Sequence, residues 1–155
     1  MGIEIERKFT LKNDSWRDNV KSSERLIQGY LAGNDRSSIR VRVAGKKANL
    51  NIKSATLGIR RQEYEYEIPL EDANNMLERL CEKPIIDKER HLVVHEGKTW
   101  EVDEFYGENK GLIVAEIELE NENEVISIPD WADKDVSHDT RYYNVCLISN
   151  PYKNW

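Results

Sequence analysis

The sequence predicts an α+β protein in which antiparallel strands outnumber helices. Charged residues alternate with other residues in several stretches, as they do along strands, where successive side chains point to opposite faces. Turn residues separate neighbouring stretches, with Gly45 between two of them and Gly97 between two others. One further segment, which begins at Pro69, instead has apolar residues at helical spacing.

The first predicted strand, residues 2–9, carries a row of charge. Glu4, Glu6 and Lys8 share one face of this strand, with apolar residues on the other. Two carboxylates so close in one row repel each other unless a cation lies between them. The row therefore predicts a bound metal ion or neighbouring Arg and Lys side chains. The alternative is a surface strand whose polar face lies in water.

The remaining elements are predicted from capping residues and turns. Capping residues at 13–15 predict a short helix, and Pro69, followed by acidic residues, begins a longer one that Pro84 is predicted to end. That helix should pack on the outside of the sheet, because it has one apolar stripe. The stripe consists of Leu70, Ala73, Leu77 and Leu80. The predicted elements are a helix at 16–20, strands at 24–31, 37–44, 47–54 and 61–68, the longer helix, and strands at 85–95, 98–105 and 112–120.

The alternation of the first strand recurs along the chain, and each row has largely one sign of charge. Solvated sheet faces usually mix signs, because opposite charges on neighbouring strands stabilise a sheet and like charges destabilise it. Glu and Lys are also poor strand formers. A charged interior that binds a polyanion together with its metal ion would explain this pattern. The cationic rows are Arg40/Arg42 and Lys88/Arg90, and the anionic rows are Glu63/Glu65/Glu67 and Glu116/Glu118/Glu120.

These rows, in this order, resemble the CYTH superfamily, the triphosphate tunnel metalloenzymes, and in particular its small bacterial inorganic triphosphatases. The segment from Glu4 to Lys8 matches the ExExK signature of that family, and the resemblance extends to about Asn144. An isolated ExExK would have little specificity, whereas the ordered series is specific. The downstream matches are Arg40, Arg42, Lys53, Glu63, Glu65, Lys88, Arg90, Asp103, Glu116, Glu118 and Arg141.

The resemblance implies a fold that is polar inside. We expect one CYTH-like tunnel domain over residues 1–155, built as an antiparallel β-barrel of about eight strands around a charged tunnel, with helices packed outside. The outer apolar rows, such as Ile39, Val41 and Val43, would then be covered by helices or by a partner chain. Uncovered rows would favour a homodimer.

The activity implied by the resemblance is metal-dependent hydrolysis of the terminal phosphoanhydride of inorganic triphosphate, with nucleoside triphosphates as further candidate substrates. Glutamates prefer hard cations such as Mg²⁺ or Mn²⁺, and a water on the metal, assisted by a carboxylate, would be the nucleophile. The sequence leaves open which carboxylate accepts the proton. The predicted metal ligands are Glu4, Glu6, Glu65, Asp103, Glu116 and Glu118. The predicted substrate-binding residues are Lys8, Arg40, Arg42, Lys53, Lys88, Arg90 and Arg141. The predicted catalytic residues are Lys8, Tyr30, Glu63 and Arg141.

Several alternatives stay open at this level. Tyr30 is either a phenol donor to phosphate or a half-buried aromatic of the sheet. Adenylyl cyclases of class IV share the scaffold, but in that family they carry extra aromatic sequence before the motif that is missing here. Thiamine triphosphatase is another possibility, although its vertebrate forms are longer. A protein that binds phosphorylated or acidic ligands without turnover is the alternative outside the enzymes.

Composition excludes several other classes of protein. The net charge of −6 and the pI near 5.2 argue against a nucleic-acid surface, although a locally basic site can lie inside an acidic protein. Cys81 and Cys146 lack CxxC spacing, and His91 and His95 have no third ligand at suitable spacing, so neither a disulfide framework nor a zinc site is favoured. The sequence has no apolar run long enough to span a bilayer and no apolar signal-peptide region, so we expect a cytoplasmic protein without membrane association.

Overall fold

The computed structural model describes residues 2–155, and nine strands form most of it. The strands are β1 (Ile3–Leu11), β2 (Val20–Gly33), β3 (Ser37–Ala44), β4 (Lys47–Ser54), β5 (Arg60–Ile68), β6 (Ile86–His95), β7 (Lys98–Phe105), β8 (Ile113–Glu118) and β9 (Ala132–Asp135). The α-helices are α1 (Leu70–Arg79) and α2 (Cys146–Ser149). Short 3-10 helices lie at Ser15–Asn19, Gly107–Asn109, Thr140–Tyr142 and Tyr152–Asn154.

Eight of these strands close into an antiparallel barrel. The order around the barrel is β5-β4-β3-β2-β6-β7-β8-β1, and the pairing of β1 with β5 completes the ring. β9 adds to β1 as a further strand. The predicted fold, an antiparallel barrel of about eight strands with helices outside it, is confirmed. Because β1 and β2 are four places apart in a ring of eight, they lie on opposite sides of the lumen.

Strand alternation sends one face of each strand into the lumen of the barrel. On β1 this face carries Glu4, Glu6 and Lys8. The register extends the charged rows onto the neighbouring strand, since Lys8 pairs with Glu116 and Glu6 pairs with Glu118. The polar face of the first strand therefore lines an enclosed space and not a flat surface in water.

The outer face of the barrel is covered by other parts of the chain. Val41 is fully buried on β3 and belongs to one cluster with Ala73 and Leu77 of α1, as the apolar stripe predicts. The prediction for Leu80 is wrong, because α1 ends at Arg79 and the side chain of Leu80 is 65% exposed. The helix thus ends several residues before Pro84, which was predicted to end it.

A second outer cluster is built around tryptophans on the opposite side. Trp100 of β7 lies 5.5 Å, between ring centroids, from Phe9 of β1 and from Trp131 in the loop before β9. Trp16 of the first 3-10 helix belongs to the same cluster and is fully buried. The predicted short helix therefore exists, and its role is to cover the sheet with one aromatic side chain.

The chain after β9 crosses one end of the barrel. Leu147 of α2 is fully buried in a cluster with Tyr30, Ile86 and Phe105. Tyr30, Ile86 and Phe105 occupy strand positions whose side chains point into the lumen. Apolar side chains therefore fill this end of the lumen, and the charged side chains occupy the rest. Within residues 2–155, no helix combines the length and the apolar character needed to cross a bilayer.

Candidate active site

The inward faces of the barrel strands converge on one charged cavity of about 180 Å³. Twelve of the predicted site residues line this cavity from β1, β3, β4, β5, β6 and β8, as the charged rows predict, Tyr30 lines it from β2, and two others lie elsewhere. The lining includes Glu4, Glu6, Lys8, Tyr30, Arg40, Arg42, Lys53, Glu63, Glu65, Lys88, Arg90, Glu116 and Glu118. Asp103 and Arg141 are not among the lining residues.

Three cations of the cavity form no ion pair with any carboxylate of residues 2–155, and we call Lys8, Arg40 and Arg42 the free cations. Lys8 Nζ donates to the carbonyl oxygen of Tyr142 at 2.9 Å, and Arg42 Nε donates to Gln28 Oε1 at 2.9 Å. Arg40 is 6% exposed, and its buried Nε has no hydrogen-bond partner. Burial, reinforced by the positive charge of neighbouring arginines, lowers the pKa of Arg42 to about 9. These side chains are available to an anionic ligand.

Carboxylates gather on the side of the lumen formed by β1 and β8. Burial, with Glu116 and Glu4 nearby, raises the pKa of Glu6 well above its usual range. Burial opposes ionisation of Glu116 too, but Lys8, a hydrogen bond with Glu6 and the charge of Arg90 outweigh it and hold the pKa of Glu116 well below its usual range. Glu6 is thus the member of this pair that is harder to ionise, and Glu116 is the one that is easier to ionise.

Two other acids of the cavity, Glu4 and Glu63, are paired with cations, and a third, Glu65, accepts from an amide. Glu4 accepts from Lys53 Nζ at 3.2 Å and from Arg61 at 3.1 Å, and these cations outweigh the opposing effect of burial and lower its pKa. Glu63 lies 3.3 Å from Lys53 Nζ. Glu65 accepts from Asn51 Nδ2 at 2.6 Å. The acidic side is therefore partly neutralised before any ligand binds.

Asp103 lies beneath Lys88 and Arg90 and is not among the lining residues, so its position does not favour the predicted role as a metal ligand. Its side chain is fully buried, and its two oxygens accept from Lys88 Nζ at 2.7 Å and from Arg90 Nε at 2.8 Å. Burial alone would raise the pKa of Asp103, but the two cations lower it. Burial lowers the pKa of Lys88 to about 7 in spite of this ion pair. With both oxygens bonded to cations, Asp103 orients Lys88 and Arg90 and has no free edge for a metal ion.

Arg141 points away from the cavity, and the structure does not support its predicted roles in catalysis and substrate binding. Its guanidinium donates to Asp139 at 2.8 Å and lies over the ring of Trp155, and its side chain is 55% exposed. Asp139 also accepts from the backbone N–H of Arg141 at the start of the Thr140–Tyr142 helix. This local pairing with Asp139 turns Arg141 outward.

Six lining residues were missed by the sequence predictions, and Ser38 and Val145 are two of these. Arg61 has the same parity as Glu63 on β5, so the alternation could have identified it. Glu101 pairs with Glu116 across β7 and β8 and likewise lies on the inward face. The last two come from the irregular tail, where no periodicity marks them. These are Tyr143 and Asn144.

The position of Tyr30 is compatible with both interpretations offered for it. It lines the cavity beside Arg40, its partner in the β2–β3 pairing, and it is 6% exposed within the cluster around Leu147. Its proposed role as a phenol donor stays a prediction.

The residues of the cavity fit a hard divalent cation. Within residues 2–155, no three His, Cys, Asp or Glu side chains are close enough to hold a metal ion by themselves. Mg²⁺, however, is usually bound by one or two carboxylates with substrate phosphates and waters completing its coordination. Glu6 and Glu116 lie close enough for their charges to raise the pKa of Glu6, and a cation between them would relieve this repulsion. This pair, with Glu4 nearby, is the set that fits.

Comparison with known proteins agrees with this geometry. The model of the CYTH domain family matches residues 2–143. This chain belongs to the CYTH family. The CYTH protein is 50% identical over 155 residues to an inorganic triphosphatase of Acetivibrio thermocellus, covering 100% of this chain and 99% of that protein. It is 32% identical over 148 residues to an inorganic triphosphatase of Nitrosomonas europaea, covering 93% and 95%.

Comparison with a solved structure leads to the same conclusion about the family. The crystal structure of an inorganic triphosphatase aligns with the CYTH protein at a TM-score of 0.69 and 30% sequence identity, over 94% of this chain and 93% of that chain. The predicted membership of the CYTH superfamily is confirmed.

Proposed function

We propose that this CYTH protein is an inorganic triphosphatase, an enzyme that hydrolyses the terminal phosphoanhydride of tripolyphosphate with the help of a divalent metal ion. The observation that carries the proposal is the opposition of Arg40 and Arg42 to the Glu6–Glu116 carboxyl pair within one enclosed cavity, with Lys8 beside that pair. A ligand that suits both sets must be a polyanion with a bound metal ion. The relatives that share the whole length of the chain are inorganic triphosphatases.

Tripolyphosphate fits the free cations in charge and in hydrogen bonding. Burying a cation without a counter-ion costs several kcal/mol, so Lys8, Arg40 and Arg42 are unfavourable in the empty protein and favourable with an anion between them. A guanidinium can donate two parallel hydrogen bonds to a phosphate, whereas an ammonium acts as a compact point charge. Two arginines and one lysine can therefore hold adjacent phosphoryl groups of the chain.

Glu6 and Glu116, with Glu4, would hold the metal ion, which is Mg²⁺ or Mn²⁺ in this proposal because all the donors are carboxylate oxygens. Once bound, such an ion supplies neutralisation of phosphate charge and acidification of a coordinated water. Lys53 and Arg61 keep Glu4 in place through their ion pairs.

The protein's own contribution to the reaction is positioning and proton transfer. The free cations hold the phosphates in line and disperse negative charge as the terminal phosphoryl group is transferred to water and pyrophosphate leaves. Glu63 lines the cavity and is held beside Lys53, so it is a candidate to accept the proton of the attacking water, with Glu65 as its neighbour on the same face. The apolar cluster around Leu147 closes one end of the lumen and keeps bulk water from that side.

The proposal is tested by phosphate release from three substrates. Purified protein with Mg²⁺ or Mn²⁺ should release phosphate from tripolyphosphate faster than from ATP, and release little from pyrophosphate. EDTA should abolish the activity, and ATP should yield no cyclic AMP. Equal or greater activity on pyrophosphate, or activity that persists in EDTA, would refute the proposal, and cyclic AMP as the main product would identify a cyclase instead.

A further inference from the structure

The segment that crosses the end of the barrel contacts the lumen through uncharged groups. Tyr142 accepts from Lys8 Nζ through its carbonyl oxygen, at 2.9 Å. The ring of Tyr143 lies between two cations, with its centroid 5.9 Å from Lys8 Nζ and 5.8 Å from the Arg61 guanidinium carbon. Asn144 Oδ1 accepts from Lys88 Nζ at 3.0 Å and from Gln28 at 3.1 Å. Each contact orients a polar group of the lumen without cancelling charge.

The hydrogen bonds of Asn144 continue to one of the free cations. Gln28 Nε2 donates to Asn144 Oδ1 at 3.1 Å, and Gln28 Oε1 accepts from Arg42 Nε at 2.9 Å. Gln28 and Lys88 are fully buried, so water has no access to these two side chains. An uninterrupted relay thus runs from Lys88 through Asn144 and Gln28 to Arg42.

The two ends of this relay fix the orientation of both amides. Lys88 can only donate, so the atom of Asn144 that faces it must be the oxygen. The same oxygen then requires the NH₂ group of Gln28 as its second donor, which turns Gln28 Oε1 towards Arg42. Arg42 can also only donate, and its Nε meets that oxygen. The relay therefore has one consistent hydrogen-bond direction, set at both ends by cations.

The relay has a consequence for the geometry of Arg42. With Nε bonded to Gln28, the two terminal nitrogens of the guanidinium remain for a ligand, which is the pair of donors that binds phosphate bidentately. A carboxylate at position 28 or 144 would hold the side chain equally well but would neutralise it. Amides at both positions keep Arg42 oriented and charged.

Asn144 reaches this place only because the tail is anchored. The hydroxyl of Tyr143 donates to the carbonyl oxygen of Ser137 at 2.9 Å and accepts from the backbone N–H of Gly58 at 3.2 Å. These bonds tie the segment to itself and to the loop between β4 and β5. The orientation of Arg42 therefore depends on a segment more than 100 residues later in the chain, since Gln28 and Asn144 are 116 positions apart.

We propose that Asn144 is a positioning residue for the triphosphate, acting through Gln28 on Arg42. This inference rests on the proposed function, because it concerns the same ligand. Asn144 need not contact the substrate; it holds the amide of Gln28 in the one orientation that presents Arg42 correctly. Its loss should weaken ground-state binding of the polyphosphate more than it slows the chemical step.

The test is the affinity for tripolyphosphate in EDTA, where no turnover occurs, measured by titration calorimetry well below the melting temperature. Asn144→Leu, which keeps the size of the side chain and removes its acceptor, should raise Kd and KM about tenfold while kcat changes less than about threefold. Asn144→Ala leaves a space that water can enter at this half-buried position, and it serves as the second variant should the Leu variant not fold. Asn150→Leu, an exposed position at the end of α2, is the matched control and should bind like the parent.

A double-mutant cycle separates positioning from a merely structural role. Gln28→Leu alone should weaken binding about as much as Asn144→Leu, and the double variant should bind little worse than either, because both break the same relay. Independent effects that multiply in the double variant would overturn the proposal, as would folded Asn144 variants with a lower melting temperature but a Kd within about twofold of the parent. If the parent itself does not bind tripolyphosphate, the proposed function fails rather than this inference.

Discussion

The two sides of the lumen differ in how their charges are satisfied. The basic side is formed by β3 and β6, which flank β2, and the acidic side is formed by β8, β1 and β5 across the ring. On the acidic side, Glu4 is paired with Lys53 and Arg61, and the neighbouring Glu116 helps burial to raise the pKa of Glu6.

On the basic side, β6 and β3 contrast with each other. Lys88 and Arg90 of β6 are bonded to the fully buried Asp103, whereas Arg40 and Arg42 of β3 have no carboxylate partner among residues 2–155. Lys88 and Arg90 also line the cavity, but Asp103 balances their charge before any ligand binds. Unpaired charges that face the cavity are the ones left for a ligand, and this distinction guides the predictions below.

The largest effect is expected on the acidic side. Glu116→Gln removes one charge of the carboxyl pair and keeps its shape, so the metal ion should bind weakly and kcat should fall on the order of a thousandfold, because a bound metal contributes several kcal/mol to such reactions. Phosphate release and the number of Mn²⁺ ions bound, counted by electron paramagnetic resonance, are the measurements. Glu71→Gln, on the exposed surface of α1, is the control. A Glu116 variant with more than about a tenth of parental activity and full Mn²⁺ binding would place the metal elsewhere.

The second prediction compares a free cation with a paired one. Arg40→Met should raise KM for tripolyphosphate about ten- to a hundredfold yet leave the free energy of unfolding of the empty protein unchanged or higher, because no buried partner loses its counter-ion. Arg90→Met should instead lower that free energy by about 3 kcal/mol or more, since it leaves Asp103 with one cation fewer in a site without water. Urea unfolding and steady-state kinetics measure both. Equal loss of stability in the two variants would contradict the division into scaffold and ligand charges.

Strand periodicity made most of the lumen predictable from the sequence. Alternation assigns Glu4, Glu6 and Lys8 to one face, and the same rule extends to β3, β5, β6 and β8, so the barrel and most of its lining follow from a period of two. The same rule assigns Arg61, a cation in a row of acids on β5, to the inward face. The bounds of β3, β4 and β7 match the predicted ranges, since turn residues mark both ends.

Periodicity does not show how deeply a side chain is buried or which residues far away in the sequence it contacts. Asp103 has the parity of a lumen position, but no sequence pattern reveals that its carboxylate is covered by two cations. Arg141 lies next to Asp139 in an irregular segment, where short-range pairing decides its direction. Asn144 lies in the same irregular tail, and its contact with Gln28 arises from tertiary packing alone. The start of β2 was missed for a related reason, because its polar residues gain strand structure from pairing with β6.

The third prediction tests whether the two sides are satisfied by one combined ligand. By linkage, tripolyphosphate with metal at a hundred times its dissociation constant should add about 2.7 kcal/mol and raise the melting temperature by roughly 5 to 10 °C. Either component alone should do less, because it neutralises one sign of charge and leaves the other. Melting curves with metal, polyphosphate, both and neither give the answer, with Ca²⁺ as the metal if turnover destroys the ligand. A combined shift no larger than that from sodium chloride of equal ionic strength would remove the main physical argument for the tunnel site.

The smallest effect concerns the proton of Arg42. Burial and neighbouring arginines lower its pKa to about 9 in the empty protein, whereas in the unfolded chain it stays protonated well above that pH. The buried charge of Arg42 therefore lowers the free energy of unfolding below about pH 9, and this destabilisation is relieved as pH rises through that value. A bound phosphate favours the protonated form of Arg42, so binding must take up a proton above pH 9. The affinity for tripolyphosphate in EDTA should therefore fall by up to about tenfold between pH 8 and 10.

The control is Arg42→Met, which should bind tripolyphosphate more weakly at every pH and lose this part of the pH dependence. Comparing parent and variant also corrects for ionisation of the ligand itself. A parent and a variant with parallel pH profiles would show that Arg42 keeps its proton in the empty tunnel, and the basic side would then be less strained than its lack of counter-ions implies.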